Sequence, residues 1–583
     1  MKIFFNSLFK ERNIQYTSVC ILLLYGLLIS FQGFDLSDEG WCMSSYQQIF
    51  SCPQSVEYNF LYYLSVLIGG LWERFFGWGG YLSFRIFSVL VILCIYYFIN
   101  RTLKNFRSPR WIVLLGFLMV LLLRDDGLAS FHHNYLTALL ASMISCFLYE
   151  SLIGNSYKKL FIASLLVGMS IFARIPNFTF LGVIGVLLLI DLWYKKSRGH
   201  FWKQVGIAIS GVLGGVFIVI VIMLSLGHFD IFVQCIQNNL VIAASSSTST
   251  HSFSHLLYIY AANYYRVGRV MLIYGLSLFI AYKFVLKTPS FWCAGAWLTA
   301  SVFVLLLLCL GSVWVLYGVS FLIALYTFYF YRNQASIIYI LAIAFCFSVF
   351  MPLGSDFGIG NMGYSSVWLL IPLICFLYRN IVISLTGKEI SSFFKLAGIL
   401  FVCGYFALQL WTVSNHCYSD KGCRFEKMYY IKNSDLATTL TTREKAAAID
   451  TLLVHCRDYI KEGDYVLCFQ SLPTMHYLTR TKPYLYNPWV WAYDVDNMKR
   501  QLERAEKEIS TLPVVIREKG NLPGTDWLEV SPGWNRTDLP DTYIYKHGKI
   551  ILINQFLDRH GYRLIWQNKL FQIWIPGSLC SKI

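Results

Sequence analysis

Three carboxylates, Asp35, Asp38 and Glu39, fall together in the stretch FDLSDEGWCMSSYQQIF, directly after the first long apolar run. A carboxylate becomes a useful base when it is fixed within hydrogen-bond reach of a hydroxyl and partly shielded from bulk water. Gly40 and the helical pattern of WCMSSYQQIF place the adjacent acids at a turn into a membrane-parallel helix. Backbone amides and aromatic cover there fix a carboxylate. The bland alternative is a solvated loop end carrying topology-neutral acids. The spacing suits a positioned base better. A second polar cluster, RDDGLASFHHNY, holds Arg124, Asp125, Asp126, His132 and His133. Two Asp and two His are metal-ligand types, but their spacing fits no tetrahedral motif, so a metal is left unassigned and a divalent cation stays open.

The elements that must position these groups follow from composition. The chain has 583 residues, 56% of them hydrophobic and only 14% charged, against about 25% charge in soluble proteins. This excludes a disordered chain, a coiled coil and a small disulfide scaffold, and it predicts a mostly α, polytopic membrane protein. About thirteen apolar runs near the length of a span lie between 15–33 and 396–413. The first is expected to be a retained span, because no small-residue cleavage site follows it. With the N-terminus inside, the cytosolic loops hold Lys2, Lys10, Arg12, Arg101, Lys104, Arg107, Arg110, Lys158, Lys159 and Lys195. The net charge of +16 is then a topology signal and no sign of nucleic acid. Acidic residues gather in the opposite loops, and an odd number of spans sends everything after about residue 413 to the same outer side.

The chain thus divides into a membrane domain, 1–413, and an extracytoplasmic α/β domain, 414–583. In the first outer loop, 35–80, NFLYYLSVLIGGLWERFFGWGG is rich in aromatics, is interrupted by Glu73 and Arg74, and reads as an interfacial helix. The polar AASSSTSTHSFSH, within 227–263, is expected to be a mobile loop. In the outer domain DYVLCF and LPVVIREK read as strands, VDNMKRQLERAEKEI as a surface helix and YRLIWQNKLFQIWI as a closing hairpin. Cys42, Cys52, Cys417 and Cys423 lie on the oxidising side at spacings that allow disulfides. Arg174 in FARIPNF stands where Pro176 interrupts a helix, and its guanidinium can reach a phosphate at headgroup depth, with snorkelling as the alternative. Asp356 in PLGSDFGIGNMGYSS sits in a glycine-rich outer turn beside Asn361 and Tyr364, and a bare turn is the alternative there. Arg266 and Arg269, at an outer span end, are reserve phosphate ligands.

The Asp-Glu pair after the first span, then YQQIF, the interfacial YYLSVLIGGLWERFFGWG, and Arg85 in YLSFRIFSVL together resemble the multi-spanning GT-C glycosyltransferases. The similarity is greatest over about residues 15–195, toward the protein O-mannosyltransferase and lipid A aminoarabinose transferase branch. The resemblance implies an inverting transfer from a polyprenyl-phosphate-linked sugar to a hydroxyl of a glycan, lipid or protein. Asp38 matches the aspartate that deprotonates the acceptor, and Glu39 would support it or hold the acceptor. Asp35, Arg85, Arg124, Asp125, Asp126, His132, His133, Arg174 and Asp356 are the expected substrate contacts. His476 and Arg480 in the outer domain are weaker candidates, with a surface role as the default. The implied setting is a bacterial inner membrane, N-terminus cytoplasmic and outer domain periplasmic.

Three other readings compete. A transporter or flippase should place ionisable groups at mid-membrane depth on broken helices, whereas most acids here stand in outer loops. An O-antigen polymerase or ligase concentrates Arg and His in one large late loop, and 227–263 has His228, His251 and His255 but no Arg. A structural subunit gives no reason for three acids after the first span. No P-loop, dinucleotide fingerprint, nucleophile elbow or zinc-protease motif is present, so the sugar must arrive already activated.

Overall fold

The computed structural model describes residues 11–106, 108–123, 130–241, 252–420, 422–519, 547–568 and 570–580. It is a helical membrane body capped by a small α/β domain, and each of the apolar runs named above coincides with a helix, from Glu11–Ser30 to Lys388–Asn415. Among the described residues eight helices are long and apolar enough to cross a membrane alone. The bent pair Ile359–Ser366 and Leu370–Ser384 raises this to nine, while Arg110–Leu121 and Ala335–Phe350 are shorter apolar helices. The body packs without a strong hydrophobic gradient between helices and lipid, so small residues set the close contacts. At Gly215, on Arg198–Ser225, a Cβ would stand 2.1 Å from the Leu165 carbonyl oxygen of the neighbouring helix.

Two local expectations change. The helix expected at 269–287 begins at Phe253, so Arg266 and Arg269 lie inside it, over the rings of Trp314 and Tyr265. Its extra turns are possible because Tyr260 and Tyr264 donate to the Val349 and Ser348 carbonyls of the adjacent helix. Most of AASSSTSTHSFSH lies outside the described residues. The first outer loop carries a 3-10 stretch, Pro53–Tyr62, and the helix Tyr63–Phe76, which breaks before Gly80–Lys104. Gly80 makes this break possible: its φ is +53°, and a Cβ there would meet the Asp435 carbonyl oxygen at 2.1 Å. Beside the break, Leu71, Phe75 and Trp78 are exposed apolar side chains, as an interfacial element requires.

In the outer domain β1 (Tyr429–Tyr430) pairs antiparallel with β2 (Leu440–Thr441), and a separate five-stranded sheet forms the base, its strands β3 (Tyr465–Phe469), β4 (Lys482–Pro483), β5 (Val514–Glu518), β6 (Arg563–Gln567) and β7 (Phe571–Ile575) lying in the order β4-β3-β5-β7-β6. β3 pairs parallel with β4 and β5. β5 pairs antiparallel with β7, which closes a hairpin with β6. The helices Val495–Glu508 and His547–Arg559 pack a core of Leu467, Val515, Met498, Leu502, Ile553 and Phe556. The strands, helix and hairpin read from sequence are all present. Cys42, Cys52, Cys417 and Cys423 are free thiols.

Glu518, at the end of β5, accepts a hydrogen bond from the Ser471 amide at 3.1 Å. Burial pushes its carboxyl up to about 7, against a modest pull from Lys445. A folded-state pKa above the unfolded one means that stability is fullest at low pH and falls as pH rises through about 7. Glu518→Gln should therefore raise the melting temperature of the outer domain at pH 8 and change it little at pH 5. For this half-buried group the gain at pH 8 is about 1–2 kcal/mol. Equal shifts at both pH values in thermal unfolding would contradict the assignment.

Candidate functional site

The site begins with the helix Asp38–Gln48, whose first turn carries Asp38 and Glu39. A helix start leaves backbone amides without partners, and Asp35 supplies the acceptors. Its Oδ1 accepts from the amide and hydroxyl of Ser37 at 2.9 and 2.6 Å, and its Oδ2 from the Glu39 amide at 2.8 Å. Burial and the Glu39 charge push the Asp35 carboxyl up, while these hydrogen bonds restrain it. Asp35, expected as a substrate contact, is thus occupied in shaping the helix entry.

Glu39 is held just as firmly. Its carboxylate is paired with Arg85, Nε to Oε1 at 3.0 Å and Nη2 to Oε2 at 2.6 Å, and it also accepts from the Ser130 hydroxyl at 2.6 Å. Arg85 spends its other donors on the carbonyls of Ser30 and Gly33, at 2.9 and 2.8 Å. Glu39 and Arg85 are 1% and 2% exposed. The pair therefore joins the end of the first span, the acidic helix and the helix Gly80–Lys104 into one buried clamp. Both residues position the loop: Glu39 is placed to support Asp38 rather than to hold the acceptor, the two expected alternatives, and Arg85 differs from its expected contact with substrate. The physical reason is that each has all its charged atoms engaged inside the protein.

Asp38 alone of the three acids keeps partial exposure. The Tyr418 hydroxyl, from the first turn after the last membrane helix, donates to its Oδ2. A carboxylate here is favoured by the helix N-terminus, stays reachable, and accepts from the neutral Tyr418 hydroxyl. That combination is what a general base requires.

The outer domain closes over this helix. The Thr474 amide and hydroxyl donate to the Leu36 carbonyl at 3.1 and 2.8 Å, and Ser44 donates to the Pro473 carbonyl at 2.9 Å. Trp41 Nε1 donates to Asn487 Oδ1 at 3.1 Å. Lys445 donates to the Phe34 carbonyl at 2.5 Å, beside buried Asp420, whose Oδ2 accepts from the Phe34 amide at 2.8 Å. Gly40 permits this approach, since a Cβ there would lie 1.9 Å from Thr474 Oγ1 and 2.3 Å from its backbone nitrogen. Because the Thr474 backbone nitrogen and Cα stand in the way as well as its hydroxyl, Gly40→Ala should cost about 2–3 kcal/mol and most of the activity. Unchanged melting temperature and activity would show that this contact is dispensable.

The remaining candidates divide. His133 stacks on Tyr62 at 4.2 Å between ring centroids and meets Trp41 edge-on at 6.1 Å. Arg174 is buried, donates to the Met351 carbonyl at 3.3 Å, and lies within electrostatic reach of Tyr62 and Asp356. Burial holds the Arg174 guanidinium below its usual range. Asp356 also caps its own turn, accepting from the Phe357 amide at 3.0 Å. The fold thus gathers His133, Arg174 and Asp356, far apart in sequence, around Tyr62. His132 lies on the other side of that helix start. Its Nδ1 faces the Ser130 carbonyl at 3.1 Å, and burial lowers its pKa to about 4, so it is neutral at pH 7. It lines a cavity of about 50 Å³ with Asn134, Tyr135, Tyr364, Ser365 and Trp368. A neutral ring accepting through Nε2 suits a hydroxyl better than a phosphate. Arg124, Asp125 and Asp126 lie outside the described residues. Among the described residues no three His, Cys, Asp or Glu side chains converge on a site able to hold a metal ion. His476 is buried in the outer domain against Thr481, and exposed Arg480 faces Asp435 at 3.8 Å.

Tyr418, Tyr62, Ser130, Thr474 and Asn487 were not singled out by sequence. Tyr62 lies in the Tyr-rich interfacial stretch and Ser130 in the RDDGLASFHHNY cluster, so both had a local signal.

No protein-family model matches the chain, and no curated protein matches it. Among solved structures, the crystal structure of ArnT from Cupriavidus metallidurans bound to undecaprenyl phosphate superposes on it with a TM-score of 0.50 and 9% sequence identity. The match covers 96% of this chain and 97% of that one, so the membrane body and the outer domain share that GT-C-type fold together.

Proposed function

We propose that this integral membrane protein is an inverting glycosyltransferase that moves a sugar from a polyprenyl-phosphate-linked donor to an acceptor hydroxyl on the outer face. The observation that carries the reading is Asp38: the one partly exposed member of the Asp35, Asp38 and Glu39 cluster, at a helix start fixed from below by the Glu39–Arg85 pair and from above by the outer domain. The shared fold with a protein crystallised with undecaprenyl phosphate supports the lipid-linked donor. In the reaction Asp38 takes the proton of the acceptor hydroxyl as its oxygen forms a bond to the anomeric carbon. The bond from that carbon to the phosphate oxygen breaks, and polyprenyl phosphate leaves with its electron pair and without needing a proton. A single displacement inverts the anomeric centre. Arg174 supplies positive charge to the departing phosphate. No step is assigned to a metal.

We place the reaction on the periplasmic side of a bacterial inner membrane, on the strength of the basic inner loops and acidic outer loops. The test is a transfer assay with purified protein in lipid, radiolabelled undecaprenyl-phosphate sugars and envelope acceptors. Label reaching an acceptor with stoichiometric polyprenyl phosphate release supports the reading. Passage of the intact donor across the bilayer without release would replace it with a flippase.

A further inference from the structure

The acceptor is left open by the site chemistry, and the loop Tyr486–Trp491 of the outer domain narrows it. Trp41 stands three residues after Asp38 on the same helix, so the two share a face. Around Trp41 stand three rings from three other elements: Tyr62 at 5.5 Å, His133 at 6.1 Å and Trp489 at 6.4 Å between centroids. Trp41 is buried, but Tyr62, His133 and Trp489 keep part of their surface exposed. These three residues therefore surround Trp41 with partly exposed aromatic surface.

The same loop carries two polar donors with nothing to bind. Asn487 is fully buried, and its Oδ1 accepts from Trp41 Nε1 at 3.1 Å and from the Trp489 amide at 3.0 Å. Those two donors fix the orientation of the amide, because reversing it would set N–H against N–H. Its Nδ2 is left without a hydrogen-bond partner among the described residues, and so is the buried Nε1 of Trp489. An orphaned buried donor is costly to leave unmet. Two in one loop, packed on Trp41 one helical turn from Asp38 and beside partly exposed aromatic residues, point to a ligand that brings acceptors.

We infer that Trp489, Asn487, Trp41 and Tyr62 form a platform for a saccharide, and that the acceptor hydroxyl is carried on a sugar. A pyranose presents an apolar C–H face to the rings and hydroxyl oxygens to the indole and amide N–H groups. An acyl chain supplies the first and lacks the second. A serine or threonine peptide supplies acceptors without a flat apolar face. The inference rests on the transferase reading and names the acceptor of that site.

The test uses the full-length protein in nanodiscs with two variants. Trp489→Leu removes ring and donor, and Trp489→Phe keeps a ring and removes the donor. With undecaprenyl-phosphate glucose as donor and protease-treated envelope polysaccharide as acceptor, Trp489→Leu should raise acceptor KM about tenfold. Trp489→Phe should raise it about threefold, and donor KM should not change in either. In a separate titration, fluorescently tagged oligosaccharides released from that polysaccharide should bind the wild type and bind Trp489→Leu about tenfold more weakly. Label in protease-sensitive or solvent-extractable lipid products, a matching rise in donor KM, or no oligosaccharide binding at millimolar concentration would each overturn the platform. Oligosaccharide binding that depends on Trp489, without turnover of any donor, would keep the platform and sink the transferase reading instead.

Discussion

Asp38→Asn should reduce the rate of sugar transfer by about 10²–10⁴-fold while leaving the protein folded, the range expected for loss of a general base. The substitution is isosteric, and the Tyr418 hydroxyl can donate to the amide oxygen as it donates to the carboxylate. The clamp beneath is untouched, since Glu39 and Asp35 make their contacts independently of the Asp38 side chain. The rate should fall in kcat, with donor KM little changed, because the base acts on the acceptor in the transition state. Initial rates of polyprenyl phosphate release, with melting temperature as the folding control, check this. A variant retaining more than about a tenth of the rate would remove Asp38 from the mechanism.

The second large effect concerns stability. Glu39→Gln leaves the Arg85 guanidinium buried beside a neutral amide, and Arg85→Met leaves the Glu39 carboxylate without its cation. Breaking one side of a buried pair costs about 3–5 kcal/mol, since the surviving charge stays desolvated. Either single change should thus lower the melting temperature and the yield of membrane-inserted protein sharply. The double variant Glu39→Gln with Arg85→Met should be more stable than the sum of the single losses, with a coupling of about 2 kcal/mol or more. Strict additivity would show that the two side chains do not depend on each other. Activity separates from stability here: in a double variant that folds, Asp38 should still support measurable transfer.

Much of the membrane body was legible because each helix needs an apolar run, and such runs stand out against charged ends. The outer sheet was legible from the short β-rich segments between Gly463 and the C-terminal hairpin. The start of the helix at Phe253 was not, since SFSHLLYIYAANYYR is polar enough to pass for a loop, and it is held by tertiary contacts of Tyr260, Asn263, Tyr264 and Arg266 that leave no mark in the local sequence. For the site, the type and position of Asp38 were readable from the turn that precedes its helix. The division of labour among the three acids was not. Glu39 becomes structural only because Arg85, forty-six positions away, lies against it, and Asp35 only because the helix start needs an acceptor. Tyr418 belongs to a segment with no local mark of function, and Thr474 and Asn487 to YVLCFQSLPTMHYLTRTKPYLYNPW, whose resemblance to the outer domains of these transferases points to the acceptor side without singling out either residue, so distance along the chain concealed the contacts.

The bonds between the acidic helix and the outer domain span sequence separations from 380 residues, Tyr418 to Asp38, to 446, Trp41 to Asn487. During synthesis the first outer loop emerges while its covering domain is still unmade, and every membrane helix must be inserted before the two can meet. Until then Phe34, Leu36 and Trp41 face water with their polar atoms unpaired by the outer domain. On the transferase reading, a nascent or truncated chain would carry Asp38 without the surface that orients it, and competence would arrive last, with the C-terminal domain. The architecture would then tie activity to completed biogenesis, so that half-built copies in the membrane stay silent.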